Sequence, residues 1–364
     1  MITASKIGSL KIFNISDIDD QSSLKDVSCF DDDLDKEKPK SSRVEKGKDH
    51  VCSMHIFEKR SDHDKHNVSS YSCKIQQCLV TGSNKGVIKS YDISNLHKIN
   101  TGDFDDYKLE KKKFKSATNK INCITTDPDC NHLFVASQDR SVKLHSIKSN
   151  GSVKKGAHIN LHEMLEEIIV SMVIDHTGSY LYCGGEKGSV QIFSLSRVDY
   201  GDAECIFKYD KIHSTKIFNM FIDINNRYLF TCSKDNSLKA FNIEEVENLS
   251  NEPLLHYNDM FHGNLISACM DSTSDLIYTF GGKINSYSLN KYNLKELRGL
   301  DFGVSRTWKD VSIDQQIEVI TIDKAMKFMF VGAGKELKVF DVSNMKTSCC
   351  ATSSQDEELF NYPK

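Results

Sequence analysis

The sequence predicts an all-β fold built from a repeated unit, and three observations carry this prediction. The first observation is a pattern that five segments share. Each segment has an apolar residue, two further residues, a second apolar residue, two further residues and then an aspartate. The aspartates are spaced 48, 48, 48 and 52 residues apart and are Asp127, Asp175, Asp223, Asp271 and Asp323. A regular period of this length is typical of a repeat architecture. We expect the aspartates to be structural turn formers, because Asp hydrogen-bonds to its own backbone in such turns.

The second observation is an aromatic residue seven positions after each aspartate, within a short apolar run. These residues are Phe134, Tyr182, Phe230, Tyr278 and Phe330. The third observation is a following segment in which an apolar residue, a ring and another apolar residue recur seven times. Its copies begin at Leu10, Ile88, Val142, Val190, Leu238, Ile284 and Leu337. Two short β runs joined by a turn of four or five residues predict a hairpin.

Seven such hairpins predict a seven-bladed β-propeller of four-stranded antiparallel blades. Runs such as LFVAS and YLFTC are apolar on both faces, as expected for strands that neighbouring blades cover on both sides. The first copy starts with residues 2–5 as a second strand, so we expect the first blade to lack its innermost strand. Because an open array leaves an unpaired strand edge, we expect either that the C-terminal tail closes the ring or that the sequence is a truncated gene product.

The order of strand, Asp-containing turn, strand, polar turn and ring-containing strand resembles the WD-repeat (WD40-type) β-propeller family. The resemblance is clearest at TDPD, residues 126–129, and SQDRS, residues 137–141. Asp139 and Asp235 stand where that family places a buried turn aspartate. A histidine precedes three repeats, at His158, His213 and His262. No repeat ends in Trp-Asp, so the repeats are divergent and the subfamily is not identified.

The resemblance implies a non-catalytic scaffold that presents loops on a propeller disc to other proteins. Two alternatives stay open, because a fold does not fix a function. One is a substrate-recruiting subunit of a larger enzyme assembly, of the ubiquitin ligase or phosphatase type. The other is a structural component of a cytoskeletal or ciliary assembly. In each case we expect a monomer within a larger complex.

The domain organisation predicted from the repeat is one propeller over residues 1–350 and a C-terminal tail over residues 351–364. Residues 16–50 and 58–74 do not fit the repeat. We predict that they are disordered insertions, because blocks of charge with few aromatic residues cannot offset the entropy of ordering. Residues 160–167 are predicted to form one short helix with Asn160 as its N-cap.

Composition and charge exclude several classes of function. The chain has 364 residues, of which 39% are apolar and 27% charged, and its net charge of -4 predicts no nucleic-acid or membrane partner. The sequence has neither an apolar run long enough to span a bilayer nor an N-terminal secretory signal. None of the 12 cysteines forms a C-x-x-C pair. We therefore expect an intracellular protein, cytoplasmic or nuclear, that is not secreted.

Candidate catalytic and metal-binding patterns are weak. Histidines and cysteines cluster between His50 and Cys78, but their spacing matches no family of zinc sites. Asp301-Phe302-Gly303 imitates a kinase tripeptide, although the other kinase motifs are missing. No nucleophile elbow, P-loop or dinucleotide fingerprint is present. The sequence therefore predicts no catalytic residue, no metal and no cofactor.

A basic residue stands in the turn between the second and third strands in all seven copies. These residues are Lys6, Lys85, Arg140, Lys187, Lys234, Lys283 and Lys335. Such turns emerge on one face of a propeller, so they predict a basic ring that binds acidic or phosphorylated peptides. The alternative is that lysine simply suits a solvated turn.

Trp308 is a further candidate contact, because tryptophan is enriched at interface hot spots. It is the only tryptophan and is predicted to lie in a long connection before the last blade. The alternative is that it packs over its own blade.

Overall fold

A computed structural model gives 26 β-strands, in chain order, among the residues that it describes. It describes residues 2–4, 10–13, 50–60, 75–95, 101–103, 110–157, 159–161, 165–258, 264–270, 276–283, 286–293, 304–311, 317–322, 328–333 and 336–341. Within these residues the helical segments are two short 3-10 turns, Val198–Tyr200 and Val246–Asn248. The strands form seven antiparallel sheets, which we call blades 1 to 7.

The first four blades run from the N-terminus to Tyr209. Blade 1 contains β1 (Ile2–Ala4), β2 (Leu10–Phe13) and β6 (Thr101–Asp103). Blade 2 contains β3 (Val51–Arg60), β4 (Ile75–Ser83), β5 (Val87–Asp92) and β7 (Glu110–Lys115). Blade 3 contains β8 (Ile121–Thr126), β9 (His132–Ser137), β10 (Val142–Ser146) and β11 (Ile159–Asn160). Blade 4 contains β12 (Ile169–Ile174), β13 (Tyr180–Gly185), β14 (Val190–Ser194) and β15 (Glu204–Tyr209).

The last three blades follow the same order. Blade 5 contains β16 (Ile217–Ile222), β17 (Tyr228–Ser233), β18 (Leu238–Asn242) and β19 (Leu255–Tyr257). Blade 6 contains β20 (Asn264–Met270), β21 (Leu276–Lys283), β22 (Ser286–Asn293) and β23 (Val304–Val311). Blade 7 contains β24 (Ile317–Ile322), β25 (Phe328–Ala333) and β26 (Glu336–Asp341). The predicted all-β fold of antiparallel blades is confirmed, and each of the seven predicted third strands lies in its own blade.

The first strands of blades 2 to 7 lie next to one another in chain order. Contacts join β3 to β8, β8 to β12, β12 to β16, β16 to β20 and β20 to β24. Successive blades therefore pack through their inner strands, the arrangement expected of a propeller.

The apolar core lies between neighbouring blades. Phe134 of blade 3 and Met172 of blade 4 belong to one buried cluster, whereas Tyr182 of blade 4 and Phe241 of blade 5 belong to the next. Phe134 and Tyr182 are each 1% exposed, and Phe230 is fully buried. Truncating a ring of this kind to alanine costs about 3–5 kcal/mol. The periodic aromatic residue of the sequence therefore fills the space between two blades.

A β-bulge recurs near the start of the first strand in blades 2 to 7. In each of these strands one residue is skipped in the pairing with the second strand. The skipped residues are Cys52, Asn122, Val170, Phe218, Ile266 and Glu318. A bulge disrupts the hydrogen-bond ladder locally, so nearby backbone groups need other partners.

Side chains of the preceding blade supply partners for carbonyl groups beside the bulge. The Asn122 side chain donates to the Ile169 carbonyl oxygen at 2.9 Å. The Ser171 hydroxyl donates to the Ile217 carbonyl oxygen at 2.8 Å. Each bond crosses from one blade to the next, so it fixes neighbouring blades in register as well as satisfying a backbone acceptor.

Blade 1 takes its outer strand from a distant part of the chain. Lys11, Ile12 and Phe13 of β2 pair with Thr101–Asp103 of β6. Both β6 and β7 follow β5, but β6 joins blade 1 and β7 returns to blade 2. The sequence repeat did not predict this exchange, because β6 has only three residues and no apolar pattern of its own.

The predicted disordered insertion at residues 58–74 begins too early. β3 continues through Arg60, and Glu58–Arg60 pair with Ile75–Gln77 of β4. The Gln77 amide donates to the Glu58 carboxylate at 2.9 Å, and the Lys59 ammonium donates to the Asp129 carbonyl at 3.0 Å. Polar contacts of this kind support a strand end that carries no apolar alternation. Residues 61–74, residues 16–49 and the tail over residues 351–364 lie outside the described residues.

Two further sequence predictions are corrected by the strands. The predicted helix at residues 160–167 is wrong at its start, because Asn160 lies in β11 and pairs with Lys143. Trp308 lies in β23 and pairs with Leu289, not in a connection. β11 and β23 are the outermost strands of their blades, and such strands have solvent on one edge. They therefore mix polar and apolar residues and lack the apolar pattern by which the inner strands were predicted.

Candidate functional site

Four of the turns between second and third strands are fully described, and they share one backbone conformation. They comprise residues 83–87, 137–141, 185–189 and 233–237, at the same edge of their sheets. The fourth residue of each turn has a positive φ. These residues are Gly86, Arg140, Gly188 and Asn236, with φ of 75°, 61°, 90° and 65°.

The basic residues of these turns occupy different positions. Lys85 and Lys187 are the third residue of their turns, whereas Arg140 is the fourth and Lys234 the second. All four residues are exposed. Because successive residues of a tight turn point in different directions, these cations share a face but do not form a ring of equivalent positions. The role of these basic residues in binding acidic or phosphorylated peptides stays a prediction.

Lys234 differs from the other three because its ammonium group is engaged. It donates to the Leu265 carbonyl oxygen of blade 6 at 3.2 Å and lies 4.7 Å from the ring centroid of Phe218. Burial lowers the pKa of Lys234, and the neighbouring Lys216 lowers it further. Lys234 therefore caps a carbonyl beside a bulge in the next blade, a structural contact that its sequence position did not reveal.

Two of the turns are held by their own aspartate. The Asp139 carboxylate accepts the Ser141 N–H at 3.1 Å and the Thr118 N–H at 2.8 Å. Burial opposes ionisation of Asp139, yet hydrogen bonds from Ser141 and Thr118 lower its pKa to about 2. Since Thr118 belongs to the connection from blade 2, this carboxylate joins the turn of one blade to the chain entering it.

Asp235 makes the corresponding contacts in blade 5 and adds a buried histidine. Its carboxylate accepts the Ser214 N–H at 2.9 Å and lies 3.2 Å from His213 Nδ1, and His213 Nε2 lies 2.8 Å from the Thr231 hydroxyl. Burial lowers the pKa of His213, and Asp235 only partly opposes this effect. Burial also opposes ionisation of Asp235, but the bonds from His213 and Ser237 hold its pKa below the usual range. The neutral histidine therefore donates through Nδ1 and accepts through Nε2.

The turn of blade 4 has no aspartate and borrows a carboxylate from the preceding connection. Glu167 is 5% exposed, and its carboxylate accepts the backbone N–H groups of Lys187 and of Ser189, the latter at 3.2 Å. The sequence pattern does not reveal this role of Glu167, because it predicts a helix over residues 160–167. The turn sequence does indicate that a carboxylate must come from elsewhere. GEKGS at residues 185–189 has no aspartate to accept the turn N–H groups, whereas SQDRS has Asp139.

Two of the connections between blades are held from both sides. The Ala117 N–H donates to the Gly86 carbonyl at 3.1 Å, and the His213 N–H donates to the Gly188 carbonyl at 3.1 Å. On their other side the same two connections are bound by Asp139 and by Asp235. Each connection therefore lies between a Lys-Gly turn and an Asp turn.

An open cleft of about 560 Å³ lies at the connection between blades 4 and 5. Its lining residues are Lys187, Lys211, Ile212, His213, Ser214, Asp235, Ser237, Lys239, His256 and Asn258. Three lysines and one aspartate give this lining a net charge of +2 when its histidines are neutral. Lys239 donates to the Ile212 carbonyl, a neutral acceptor. No carboxylate of a described residue pairs with Lys187 or Lys211, and Asp235 is already engaged by neighbouring donors.

The aspartates of the 48-residue period lie at the opposite edge of the sheets, between first and second strands. The Asp127 carboxylate accepts the His132 N–H at 2.7 Å. The Asp175 and Asp223 carboxylates accept the N–H groups five residues later, at 2.7 Å and 2.6 Å. Each aspartate therefore bonds to the backbone of its own turn.

Several predicted site residues lie outside the described part of the chain or at its limit. Lys283 is the last residue of β21, and its side chain is not described. Lys6, Lys335, Asp271 and Asp323 lie outside the described residues. Their predicted roles stay predictions.

Metal-binding clusters and membrane-spanning helices are absent from the residues that the structure describes. No group of three or more His, Cys, Asp or Glu side chains there is arranged to hold a metal ion. No helix in the described part of the chain has the length and apolar character needed to cross a bilayer.

Comparisons with known proteins bear on the family and the fold. Residues 109–146 match the family model described as WD domain, G-beta repeat. This stretch contains β7 of blade 2 and the first three strands of blade 3. No curated protein matches the chain.

Solved propellers are similar to the chain in structure. The β-propeller domain of Cps50 (Swd1) from Myceliophteria thermophila has a TM-score of 0.54 and 12% identity, over 73% of this chain and 80% of that one. Sqt1 from Chaetomium thermophilum has a TM-score of 0.55 and 14% identity, over 73% of this chain and 68% of that one. Sqt1 bound to the N-terminus of the ribosomal protein L10 has a TM-score of 0.53 and 14% identity, with the same coverage. The chain therefore has a β-propeller fold, and its residues 109–146 match one WD domain, G-beta repeat.

Proposed function

We propose that this propeller is a protein-interaction scaffold that binds an acidic segment of a partner protein in the cleft between blades 4 and 5. The observation that carries the proposal is the pair of exposed lysines, Lys187 and Lys211, beside a third lysine, Lys239, in one concave surface. Carboxylate and phosphate groups are the usual partners of clustered lysines.

The charges around the cleft favour an anionic ligand. Lys187 and Lys211 have no carboxylate partner among the described residues, so their charges are available to a ligand. The single lining aspartate, Asp235, is ionised and accepts bonds from Ser214, Ser237 and His213, but the three lysines outnumber it. Lys239 keeps its full charge because its bond goes to a carbonyl. A cleft with this balance attracts acidic peptides at long range.

The fold supports a scaffold more than an enzyme. Propellers of the WD-repeat type are generally non-catalytic scaffolds. Sqt1, whose structure is similar, binds the N-terminus of a ribosomal protein. The described buried ionisable groups near the cleft, His213 and Glu167, are held by backbone and neighbouring side chains. A role in peptide binding accounts for the exposed lysines without requiring a reacting group. The alternative assemblies, an enzyme complex or a cytoskeletal one, and the intracellular location stay predictions.

The test is the affinity of the purified full chain for a fluorescent peptide with one cluster of glutamates, measured by anisotropy. The variant Lys187→Glu/Lys211→Glu is expected to bind it at least about tenfold more weakly, because close charge pairs at an interface contribute this much or more. Raising the salt concentration should weaken binding to the natural protein far more than binding to the variant.

The matched control is Lys148→Glu/Arg197→Glu, which makes the same change of charge at the opposite edge of blades 3 and 4. Both residues are exposed and follow third strands. This control should bind the peptide with nearly the natural affinity. If both variants lose the same affinity for the peptide, the loss is caused by net charge alone, and the proposed site is overturned.

A further inference from the structure

The connection from blade 2 to blade 3 is built like the one that forms the cleft. We call residues 115–120 junction 2/3 and residues 211–216 junction 4/5. In both junctions an N–H donates to the glycine carbonyl of a Lys-Gly turn, from Ala117 to Gly86 and from His213 to Gly188, at 3.1 Å each. In both, the next residue donates its N–H to a turn aspartate, at 2.8 Å in junction 2/3 and 2.9 Å in junction 4/5.

A lysine of the third strand extends the equivalence. The Lys143 ammonium donates to the Ser116 carbonyl at 2.7 Å, and the Lys239 ammonium donates to the Ile212 carbonyl. Lys143 and Lys239 are separated by two periods of 48 residues. The two junctions are therefore equivalent positions of the repeat, two blades apart, on the same face.

All three cations of the cleft recur at junction 2/3. Lys187, Lys211 and Lys239 correspond to Lys85, Lys115 and Lys143. The first pair occupies the third position of the turn. The second pair lies two residues before the N–H that donates to the glycine carbonyl, and the third pair lies on the third strand. Lys85 and Lys115 are exposed, and no ion pair with a carboxylate joins Lys115 or Lys143 to another described residue.

The junction between these two lacks lysine at all three equivalent positions. At junction 3/4 the third turn position is Asp139, the third-strand position is Gln191, and the connection carries Glu166 and Glu167. Glu166 is exposed. An acidic segment that followed the face continuously from junction 2/3 to junction 4/5 would find no matching set of three lysines between its two favourable contacts, and it would pass the exposed Glu166, which pairs with Lys208.

We propose that junctions 2/3 and 4/5 each bind one acidic cluster of the same partner polypeptide, with a neutral spacer crossing junction 3/4. This inference rests on the proposed function, because it adds a second contact to the first. A second contact on one chain is an intramolecular event and raises the overall affinity by the effective concentration that the spacer allows.

The experiment compares synthetic peptides with one or two glutamate clusters, the latter joined by Gly-Ser spacers of increasing length. The two-cluster peptide with the best spacer is expected to bind the full-length protein at least about a hundredfold more tightly than the one-cluster peptide. Affinity should pass through a maximum as the spacer lengthens, because a short spacer cannot reach and a long one dilutes the second cluster. A parallel series of peptides carries phosphoserine in place of glutamate. The series that binds more tightly identifies whether carboxylates or phosphates are the natural charge carriers.

Variants assign the two contacts. Lys85→Glu/Lys115→Glu is expected to reduce two-cluster binding to the one-cluster level, while one-cluster binding at junction 4/5 persists. Lys187→Glu/Lys211→Glu should also remove the gain from the second cluster, and it should leave only the weaker one-cluster binding at junction 2/3. Lys148→Glu/Arg197→Glu should leave the gain from the second cluster intact. Thermal unfolding of each variant checks that these exposed substitutions leave the fold unchanged.

The outcomes separate the two proposals. If one- and two-cluster peptides bind equally tightly at every spacer length, this inference is overturned while the proposed function stands. If the one-cluster peptide does not bind the natural protein, both proposals are overturned.

Discussion

The backbone of Gly188 in blade 4 lies directly against the backbone of His213 in the connection to blade 5. The Gly188 carbonyl accepts the His213 N–H at 3.1 Å, and a Cβ atom built on Gly188 would lie 2.0 Å from the His213 carbonyl oxygen. With its φ of 90°, Gly188 also has a conformation that other residues rarely adopt. This contact sets the position of Lys187, the neighbouring residue, against the cleft.

Replacing Gly188 by alanine should therefore destabilise the protein more than the same change at an open glycine. We expect Gly188→Ala to lower the free energy of unfolding by at least about 3 kcal/mol, because backbone must shift in addition to the strain of a positive φ. Gly201 is the control: its φ is 82° and no atom lies within 4 Å of its built Cβ. Gly201→Ala should cost about 1 kcal/mol in urea unfolding. Equal costs at the two positions would contradict the close contact.

Glu167 should be essential to the turn that carries Lys187. We expect Glu167→Ala to lower the free energy of unfolding by about 2–3 kcal/mol, because two backbone N–H groups lose a charged acceptor. Glu167→Gln should recover part of this loss, since its side-chain oxygen still accepts one of the bonds. The adjacent Glu166 is exposed and pairs with Lys208, so Glu166→Ala should cost less than about 1 kcal/mol in the same urea unfolding measurement. A comparable cost at both positions would argue against the turn as the cause.

The Ser171 hydroxyl should stabilise the contact between blades 4 and 5. Ser171 is buried and donates to the Ile217 carbonyl oxygen beside the bulge of blade 5. Ser171→Ala should lower the free energy of unfolding by about 1–3 kcal/mol, because a carbonyl is left without its donor. The exposed Ser196 provides the control, and Ser196→Ala should stay within about 0.5 kcal/mol in urea or thermal unfolding. A neutral Ser171→Ala would show that the carbonyl finds another partner.

Stability should fall as the pH is lowered from about 6.5 to about 4, because of buried histidines. Burial lowers the pKa of His55 from its ordinary 6.5 to about 4, and burial also lowers the pKa of His145 and of His213. In this window the unfolded chain binds protons that the folded chain does not, so acid favours unfolding. Each histidine contributes a slope of up to about 1.4 kcal/mol per pH unit.

The measurement is the urea midpoint as a function of pH. His55→Gln should flatten the decline, whereas substitution of the exposed His176 should not. Below about pH 4 a second decline is expected from Asp92 and Asp139. Burial opposes their ionisation, but hydrogen bonds, chiefly from Ser94 and Ser141, lower both pKa values to about 2. A profile that is flat between pH 6.5 and pH 4 would contradict the role of the histidines.

The repeat predicted the blades because inner strands carry their signal in every copy. Aromatic residues such as Phe134 and Tyr182 are buried between blades, and burial leaves a strict apolar period in the sequence. Features made by backbone geometry leave no such period. The bulge at Asn122 and at its equivalents was not predictable, since it depends on hydrogen-bond register rather than on residue type.

The candidate site was predicted only in part. The sequence identified Lys187 as a basic turn residue, and the structure places it in the cleft with Lys211 and Lys239. The sequence did not predict those two neighbours, because one lies in a connection and the other on a third strand. Nor did it distinguish Lys234 from the other turn cations, since Lys234 contacts Leu265 of the next blade and Phe218 of the first strand of its own blade.

The outer strand of blade 1 has a consequence for how the protein folds and unfolds. Because β6 lies between β5 and β7 in the chain, completing blade 2 requires the polypeptide to travel to blade 1 and back. The two sheets are therefore joined through β6, and moving blade 1 away from blade 2 removes its outer strand. Amide hydrogens of both should exchange with solvent as one cooperative unit. In a circular permutant whose new termini lie between β5 and β7, this connection is cut. The amide hydrogens of blades 1 and 2 should then no longer exchange as one unit.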